Sequence, residues 1–365
     1  MATRSQDQDL VAEVAASHGI QRQREQGSNE TRVVPSFGWH PWFSHQLYDD
    51  GASTPTYNPS SSDLQAAKKA HYEAVLQPAP KDQAFIDSLP TPTPLSQFIS
   101  ATRQRLEQHP LALVGEIGLD KAFRLPTQWQ ESDSASRNED VTPGGREGRL
   151  LSPHRVRMQH QQAILTAQLR LAGEVGRAVS VHGVQAHGVL YDTISKCWAG
   201  HEVHVPSRKE KKMVAPGAED FSSDDEEEDD DGGNSKQKQQ SKQQPPKSNA
   251  KLGGKPYPPR ICLHSYSGSA DMLKQWLHQS VPAQVYVSFS TAVNLSTEAV
   301  RSKVDDVIRA VPDDRILVES DLHRAGEEMD GMLENMYRHV CAAKGWELEE
   351  GVTRIGRNYE AFIHG

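Results

Sequence analysis

The sequence predicts an α/β chain folded as a TIM-like (β/α)8 barrel, on two observations. Short apolar strands alternate with helical patterns along most of the 365 residues, the rhythm of a parallel sheet with crossover helices. Four of those strands end in a residue able to bind a metal: LALVGE at Glu116, AVSVH at His182, ICLH at His264 and ILVESD at Asp321. In a barrel every strand opens at its C-terminal end onto one mouth, so residues far apart in sequence meet there.

Each element has its own signal. Residues 5–20 (SQDQDLVAEVAASHGI) read as a helix, with Ser5 a candidate cap, Leu10, Val11 and Val14 on one face, and Gly19 near the end. Residues 33–37 (VVPSF) read as a short strand weakened by Pro35, which has no amide hydrogen to donate. They run into GWHPWFSH and then a loop rich in Ser, Pro and Thr over 51–62. A helical pattern over 95–108 leads into the strand 111–114. Residues 154–172 form an amphipathic helix by the spacing of Met158, Ile164, Leu165, Leu169 and Leu171. Strands over 178–181, 261–263, 285–289 and 316–318 alternate with helices near 188–198, 270–278 and 297–310.

Two polar stretches interrupt this rhythm. Residues 126–152 carry charges of both signs with Gly144 and Gly145, and read as an inserted loop. Residues 205–257 join a basic PSRKEKK, the acid run DDEEEDDD (224–231) and KQKQQSKQQPPK. Such composition buries too little apolar surface to offset its ordering entropy, which predicts disorder. Ser222 and Ser223 precede the acid run as candidate kinase targets, set against a merely solubilising tether. Without the two insertions about 285 residues remain, near the roughly 250 typical of one barrel, so a single domain over 1–365 is expected.

Composition narrows the function. Apolar residues make up 36% and mean hydropathy is −0.68, which fits polar insertions diluting an ordinary fold. The net charge is −9, and the acid run accounts for nearly all of it. A near-neutral body lacks the broad basic surface of a stoichiometric nucleic-acid binder, although a small metal site can still engage a phosphodiester. Cys197, Cys262 and Cys341 are odd in number and widely spaced, which fits a reducing compartment and excludes a paired-cysteine zinc ribbon. There is no apolar run of the roughly 18 residues a membrane span needs, and the first residues lack the apolar centre of a secretory signal. A cytoplasmic or nuclear location with no membrane partner follows as an expectation.

The candidate ligands are oxygen and imidazole with no thiolate, a set that suits Zn, Mn or Mg. A bound ion lowers the pKa of its water to about 7 and polarises a phosphoryl or carbonyl oxygen. Asp321 can bind the ion and also take the proton of that water. Each residue has a plainer alternative. Glu116 could pair with Arg124 or Lys121, His182 and His264 could be satisfied core histidines, and Glu319 could anchor a loop. His40 in GWHPWFSH sits close to a strand end and can donate to a substrate phosphate, but Trp39, Pro41 and Trp42 around it equally suit rim packing. His187 reads as a surface or outer residue. In HSYSG, Ser265, Ser267 and Gly268 suit a phosphate contact or a capped turn.

GEIGLD with Arg124 close behind, VSVHG, LHSYSG and ESD, preceded by GWHPW, resemble in order the signature blocks of the TatD-related metal-dependent hydrolases of the amidohydrolase superfamily. The resemblance spans about 33–362 and includes Asn358. The extended GWHPWFSH and the acid insertion look most like fungal members, some described as interacting with a subunit of a cell-cycle complex. The resemblance implies one or two divalent ions and phosphodiester hydrolysis, commonly of DNA. Glu116 would be shared between metals, His182 and His264 would complete one site, and Asp321 would serve the other while handling the proton. His40, Ser265 and Arg124 would lie near substrate. Family members begin with a strand carrying His-x-His, which this sequence lacks before its first helix. The barrel is therefore expected to be incomplete at strand one, leaving unpaired strand edges and a weakened enzyme. A barrel that no longer catalyses and docks a basic protein partner through its acidic insertion is the competing expectation; amide or ester hydrolysis is a third.

Overall fold

A computed structural model of the chain describes residues 1–19, 33–129, 146, 148–206, 254–323 and 326–365. The strands in chain order are β1 (Ser36–Phe37), β2 (Leu47–Tyr48), β3 (Leu76–Gln77), β4 (Thr93–Pro94), β5 (Leu113–Asp120), β6 (Arg155–Val156), β7 (Val179–Val184), β8 (Arg260–Leu263), β9 (Gln284–Ser290) and β10 (Ile316–Glu319). Six of them form the central sheet in the order β1-β5-β7-β8-β9-β10, parallel throughout. β2 with β4 and β3 with β6 make two small side ribbons. Helices Met158–Glu174, His187–Ser195, Ala270–Trp276 and Glu298–Ala310 cross between successive sheet strands. This is the α/β architecture expected of a TIM-like barrel.

Among the described residues β1 and β10 are the ends of the sheet. The outer side of β1 is not bare. The Ala2 amide donates to the Ser36 carbonyl at 2.9 Å, the His40 amide donates to the Thr3 carbonyl at 2.9 Å, and Ala2 is fully buried. The first helix, Ser5–His18, has no cap from Ser5; Asp7 instead reaches back to accept from the amide and hydroxyl of Thr3.

Two strands differ from expectation for local reasons. β1 is only two residues because Pro35 cannot donate, and Val33 makes an isolated bridge to Gly19 instead. β5 does not stop at Val114 but runs on through GEIGLD to Asp120. Along its second half Ile117 and Leu119 are fully buried in the main core, while Glu116 and Asp120 alternate with them and so share the opposite face. Glycine and acidic residues are poor strand formers, which hid this extension. The tail beyond β10 folds into helices Glu327–Lys344 and Leu348–His364, and Asn358 ties the second of these to the sheet by donating to the carbonyls of Asp313 and Ile316 at 2.8 and 2.9 Å.

Helix Met158–Glu174 sets the strand ends in place. Leu165, Leu169, Leu171 and Ala172 are at most 1% exposed, each leucine contributing roughly 1.5–3 kcal/mol by burial. On the same helix Gln161 accepts from the Asp120 amide at 2.8 Å and donates to the Asp120 carbonyl at 2.9 Å. Gln168 does the same for Trp39, at 2.7 and 3.1 Å. Each glutamine amide thus stands in for a strand neighbour where the backbone leaves the sheet. Of the expected loop 126–152, the described ends pair through the bridge Pro126–Leu151; residues 130–145 and 147 lie outside the described residues. So does 207–253, which holds the acid run, Ser222 and Ser223.

Candidate metal centre

Glu116 stands at the centre of a buried cluster. Its Oε1 lies 2.9 Å from His182 Nδ1, 3.5 Å from His40 Nε2 and 3.5 Å from His264 Nε2. His264 Nε2 is in turn 3.0 Å from Asp321 Oδ1. Glu116, His182, His264 and Asp321, read from four separate strand ends, therefore form one connected network. Neither Arg124 nor Lys121 pairs with Glu116, and Arg124 is half-buried four residues beyond Asp120 with no ion pair among the described residues. Imidazoles, not surface cations, face this carboxylate.

The β5–β7 register explains how His182 reaches it. His182 lies opposite Gly118, midway between Glu116 and Asp120 on the same face. Its ring spans the two carboxylates, with Nε2 3.1 Å from Asp120 Oδ2. Gly118 has a φ of 154°, and a Cβ there would meet the His182 carbonyl oxygen at 2.0 Å; only glycine permits this approach. Asp120 is itself clamped, accepting from the Trp42 indole at 2.5 Å and from the amides of Ala122 and Phe123 at 2.7 and 2.8 Å.

A second carboxylate stands behind His264. Glu319 Oε2 is 2.7 Å from His264 Nδ1, and Glu319 Oε1 accepts from the Ser265 amide at 2.6 Å and from the Ser265 and Ser288 hydroxyls at 2.8 Å each. Ser265 also reaches Asp321 Oδ2 at 3.2 Å. Both Ser265 and Asp321 adopt positive φ, 39° and 57°, a strained conformation that clusters where side chains are held for function. Glu319 does more than anchor a loop. His187 lies outside the cluster, with its Nε2 3.3 Å from the Ser267 hydroxyl.

Charge follows from this wiring. Burial would raise Glu116, but His264 and His40 together with hydrogen bonds from His182 and His40 hold it well below the ordinary carboxylate range. Burial would lower His182, yet hydrogen bonds to Asp120 and Glu116 push it up to about 9. His264 is lifted in the same way against burial, by the charges of Glu116 and Glu319 and the bond to Asp321. For His40 burial wins over the attraction of Glu116, and its affinity for a proton falls. Burial opposes ionisation of Asp120 and Glu319, but both are held below the ordinary carboxylate range, Asp120 by the hydrogen bond from His182 and its other donors, Glu319 by the charge of His264 and then by its hydrogen-bond donors.

The residues present fit a divalent ion. Ligand atoms of His40, Glu116 and His182 lie within 4.8 Å of one another, all are nitrogen or oxygen, and Glu116 is a buried anion with no lysine or arginine partner among the described residues. His40, expected near substrate, thus sits among the candidate ligands. Asp120 and Trp42, parts of GEIGLD and GWHPW, join the site through His182, which the sequence marks only by the i, i+4 placement of two carboxylates on one strand face.

Imidazoles and carboxylates gathered at the strand ends of a parallel α/β sheet are the arrangement of barrel metallo-hydrolases. The chain belongs to the TatD related DNase family, which it matches over residues 4–364. It is 36% identical over 367 residues to the Cut9-interacting protein scn1 of Schizosaccharomyces pombe, covering 100% of this chain and 90% of that protein. It is 23% identical over 350 residues to an uncharacterized deoxyribonuclease of Saccharomyces cerevisiae, covering 92% and 83%. Among solved structures, a TatD homolog from Escherichia coli aligns over 100% of this chain and 85% of its own, with TM-score 0.47 and 12% identity. A TatD family hydrolase from Entamoeba histolytica aligns over 100% and 83%, with TM-score 0.48 and 9% identity.

Proposed function

We propose that this chain is a divalent-metal-dependent hydrolase that cleaves phosphodiester bonds in DNA. The observation that carries the reading is the convergence of His40, His182 and His264 on a single oxygen of Glu116. His40, Glu116 and His182 would hold one ion, with His264 and Asp321 positioned to complete that site or to share Glu116 with a second. Mg, Mn or Zn suits such a donor set, and an ion held there would supply Lewis-acid polarisation and a more acidic bound water. Asp321 is the most exposed carboxylate of the network, its side chain 30% exposed against 23% for Glu319, and its oxygens carry fewer donors than those of Glu319, so it is the one suited to accept the proton of an attacking water. Arg124, whose cation is uncommitted among the described residues, would contact substrate phosphate, and Ser265 would act beside it by holding Glu319 and Asp321, to which its hydroxyl is already bonded. The family match and the relative described as a deoxyribonuclease support DNA as the substrate class.

The test is cleavage of a labelled oligonucleotide with added Mg2+, Mn2+ or Zn2+. Cleavage that stops with chelator and falls at least a hundredfold (~10²) in Glu116→Ala and Asp321→Asn is the expected result. Metal-independent cleavage, or full activity in both variants, overturns it.

A second reading has its own support: a catalytically weakened barrel that binds a protein partner through residues 205–257. The relative at 36% identity is described as Cut9-interacting, and the run DDEEEDDD is a concentrated anionic segment suited to a basic partner. Deleting 207–253 should abolish capture of a Cut9 homologue and leave metal uptake intact. Residence in cytoplasm or nucleus fits this reading and the three free cysteines; among the described residues no helix is long and apolar enough to cross a membrane.

A further inference from the structure

Two carboxylates stand behind the histidines that flank Glu116, each on the far side of its ring. His182 turns Nδ1 toward Glu116 at 2.9 Å and Nε2 toward Asp120 at 3.1 Å. His264 is used the other way round, with Nε2 toward Glu116 at 3.5 Å and Nδ1 toward Glu319 at 2.7 Å. The opposite choice of nitrogen follows from the fold. His182 lies inside β7 opposite Gly118 and bridges two carboxylates of one neighbouring strand. His264 follows β8 and meets a carboxylate at the end of β10, two strands away in the sheet.

Neither outer carboxylate is free to follow its ring. Asp120 is fixed by the Trp42 indole and by the Ala122 and Phe123 amides, and Trp42 is itself stacked on Phe123 with centroids 4.8 Å apart. Glu319 is fixed by Ser265 and Ser288. An anion held by three donors is a rigid acceptor, so the ring must turn its N–H to meet it. A histidine that donates from one nitrogen offers its lone pair from the other, which is how an outer acceptor selects the tautomer of a metal ligand.

Resting on the hydrolase reading above, we infer that Asp120 and Glu319 are positioning residues: each takes the N–H of its histidine's outer nitrogen, so that His182 Nδ1 and His264 Nε2 present lone pairs to a divalent ion beside Glu116. The arrangement also assigns work to Trp42, Ser265 and Ser288, which hold the acceptors still.

Asp120→Asn and Glu319→Gln test this. Each keeps the shape and can turn an amide N–H toward the ring, which would force the opposite tautomer. Mn2+ and Zn2+ are titrated calorimetrically into the full chain, and the ring nitrogens of histidine-labelled protein are followed by NMR with Zn2+ present. Each variant should bind about tenfold to hundredfold more weakly. Each should also change the tautomer of its own histidine alone, His182 for Asp120→Asn and His264 for Glu319→Gln, a change that a merely structural role would not produce. Trp42→Phe keeps the stack on Phe123 and removes one donor from Asp120, so a smaller loss is expected there even if Asp120→Asn fails to fold. Unchanged affinity and tautomer in folded variants overturn the inference and leave the hydrolase reading standing. Failure of the unaltered chain to take up either ion overturns both.

Discussion

Replacing Gly118 by alanine should damage the fold and the site together. The new Cβ would lie 2.0 Å from the His182 carbonyl oxygen, 2.7 Å from its carbon and 2.8 Å from its nitrogen, at a φ of 154°. Ordinary contact needs about 3.5 Å, so β7 would have to retreat by more than an ångström just where His182 meets Glu116. The disfavoured backbone costs about 1–3 kcal/mol and the overpacking about 1–3 kcal/mol. Their sum, roughly 2–6 kcal/mol, is a large part of the about 5–15 kcal/mol that holds a typical domain. Urea unfolding measured by linear extrapolation gives the loss directly, and calorimetry with Zn2+ reports the site. A loss below about 0.5 kcal/mol with normal metal uptake would refute the claim that this close approach is what places His182.

Other perturbations have defined outcomes. Gln168→Leu leaves the buried amide and carbonyl of Trp39 unpaired and should cost about 2–6 kcal/mol at about 1–3 kcal/mol per group; urea unfolding checks it. Asn358→Leu removes two donations to the backbone beside β10 and should lower stability by about 1–3 kcal/mol, read from the unfolding midpoint. Acid should weaken the fold through two histidines that are not among the candidate metal ligands. Burial pushes His45 down to about 3 and His71 down to about 4, so both stay neutral in the fold while the unfolded chain protonates them near the ordinary 6.5. Their stabilisation is complete above pH 6.5 and is lost as pH falls toward about 4 and about 3, by up to about 1.4 kcal/mol per pH unit for each ring. Urea unfolding from pH 7 to 4.5 in His71→Gln should show a shallower slope than the unaltered chain; equal slopes would contradict the neutral assignment.

The legible part of the site was local. An apolar run broken by a metal-binding residue is visible at Glu116, His182, His264 and Asp321 because strand burial and side-chain chemistry are written residue by residue. Less visible was the second half of β5, where Gly115, Glu116, Gly118 and Asp120 dilute the alternation of Ile117 and Leu119. His40 read as a contact to substrate and not as a ligand because its approach to Glu116 depends on the turn Pro41–Gln46 that it caps, which leaves no periodic mark.

By itself the sequence determined the alternation of strands and helices, the places where polar segments interrupt them, and which side chains stand at strand ends with the chemistry of metal ligands. Tertiary structure alone decided that Asp120 and Glu319 stand behind His182 and His264, that opposite ring nitrogens face Glu116, and that His40 joins them. The physical reason is that a strand's pattern reports which face is buried, whereas the partner of each ring nitrogen is set by register between strands more than sixty residues apart.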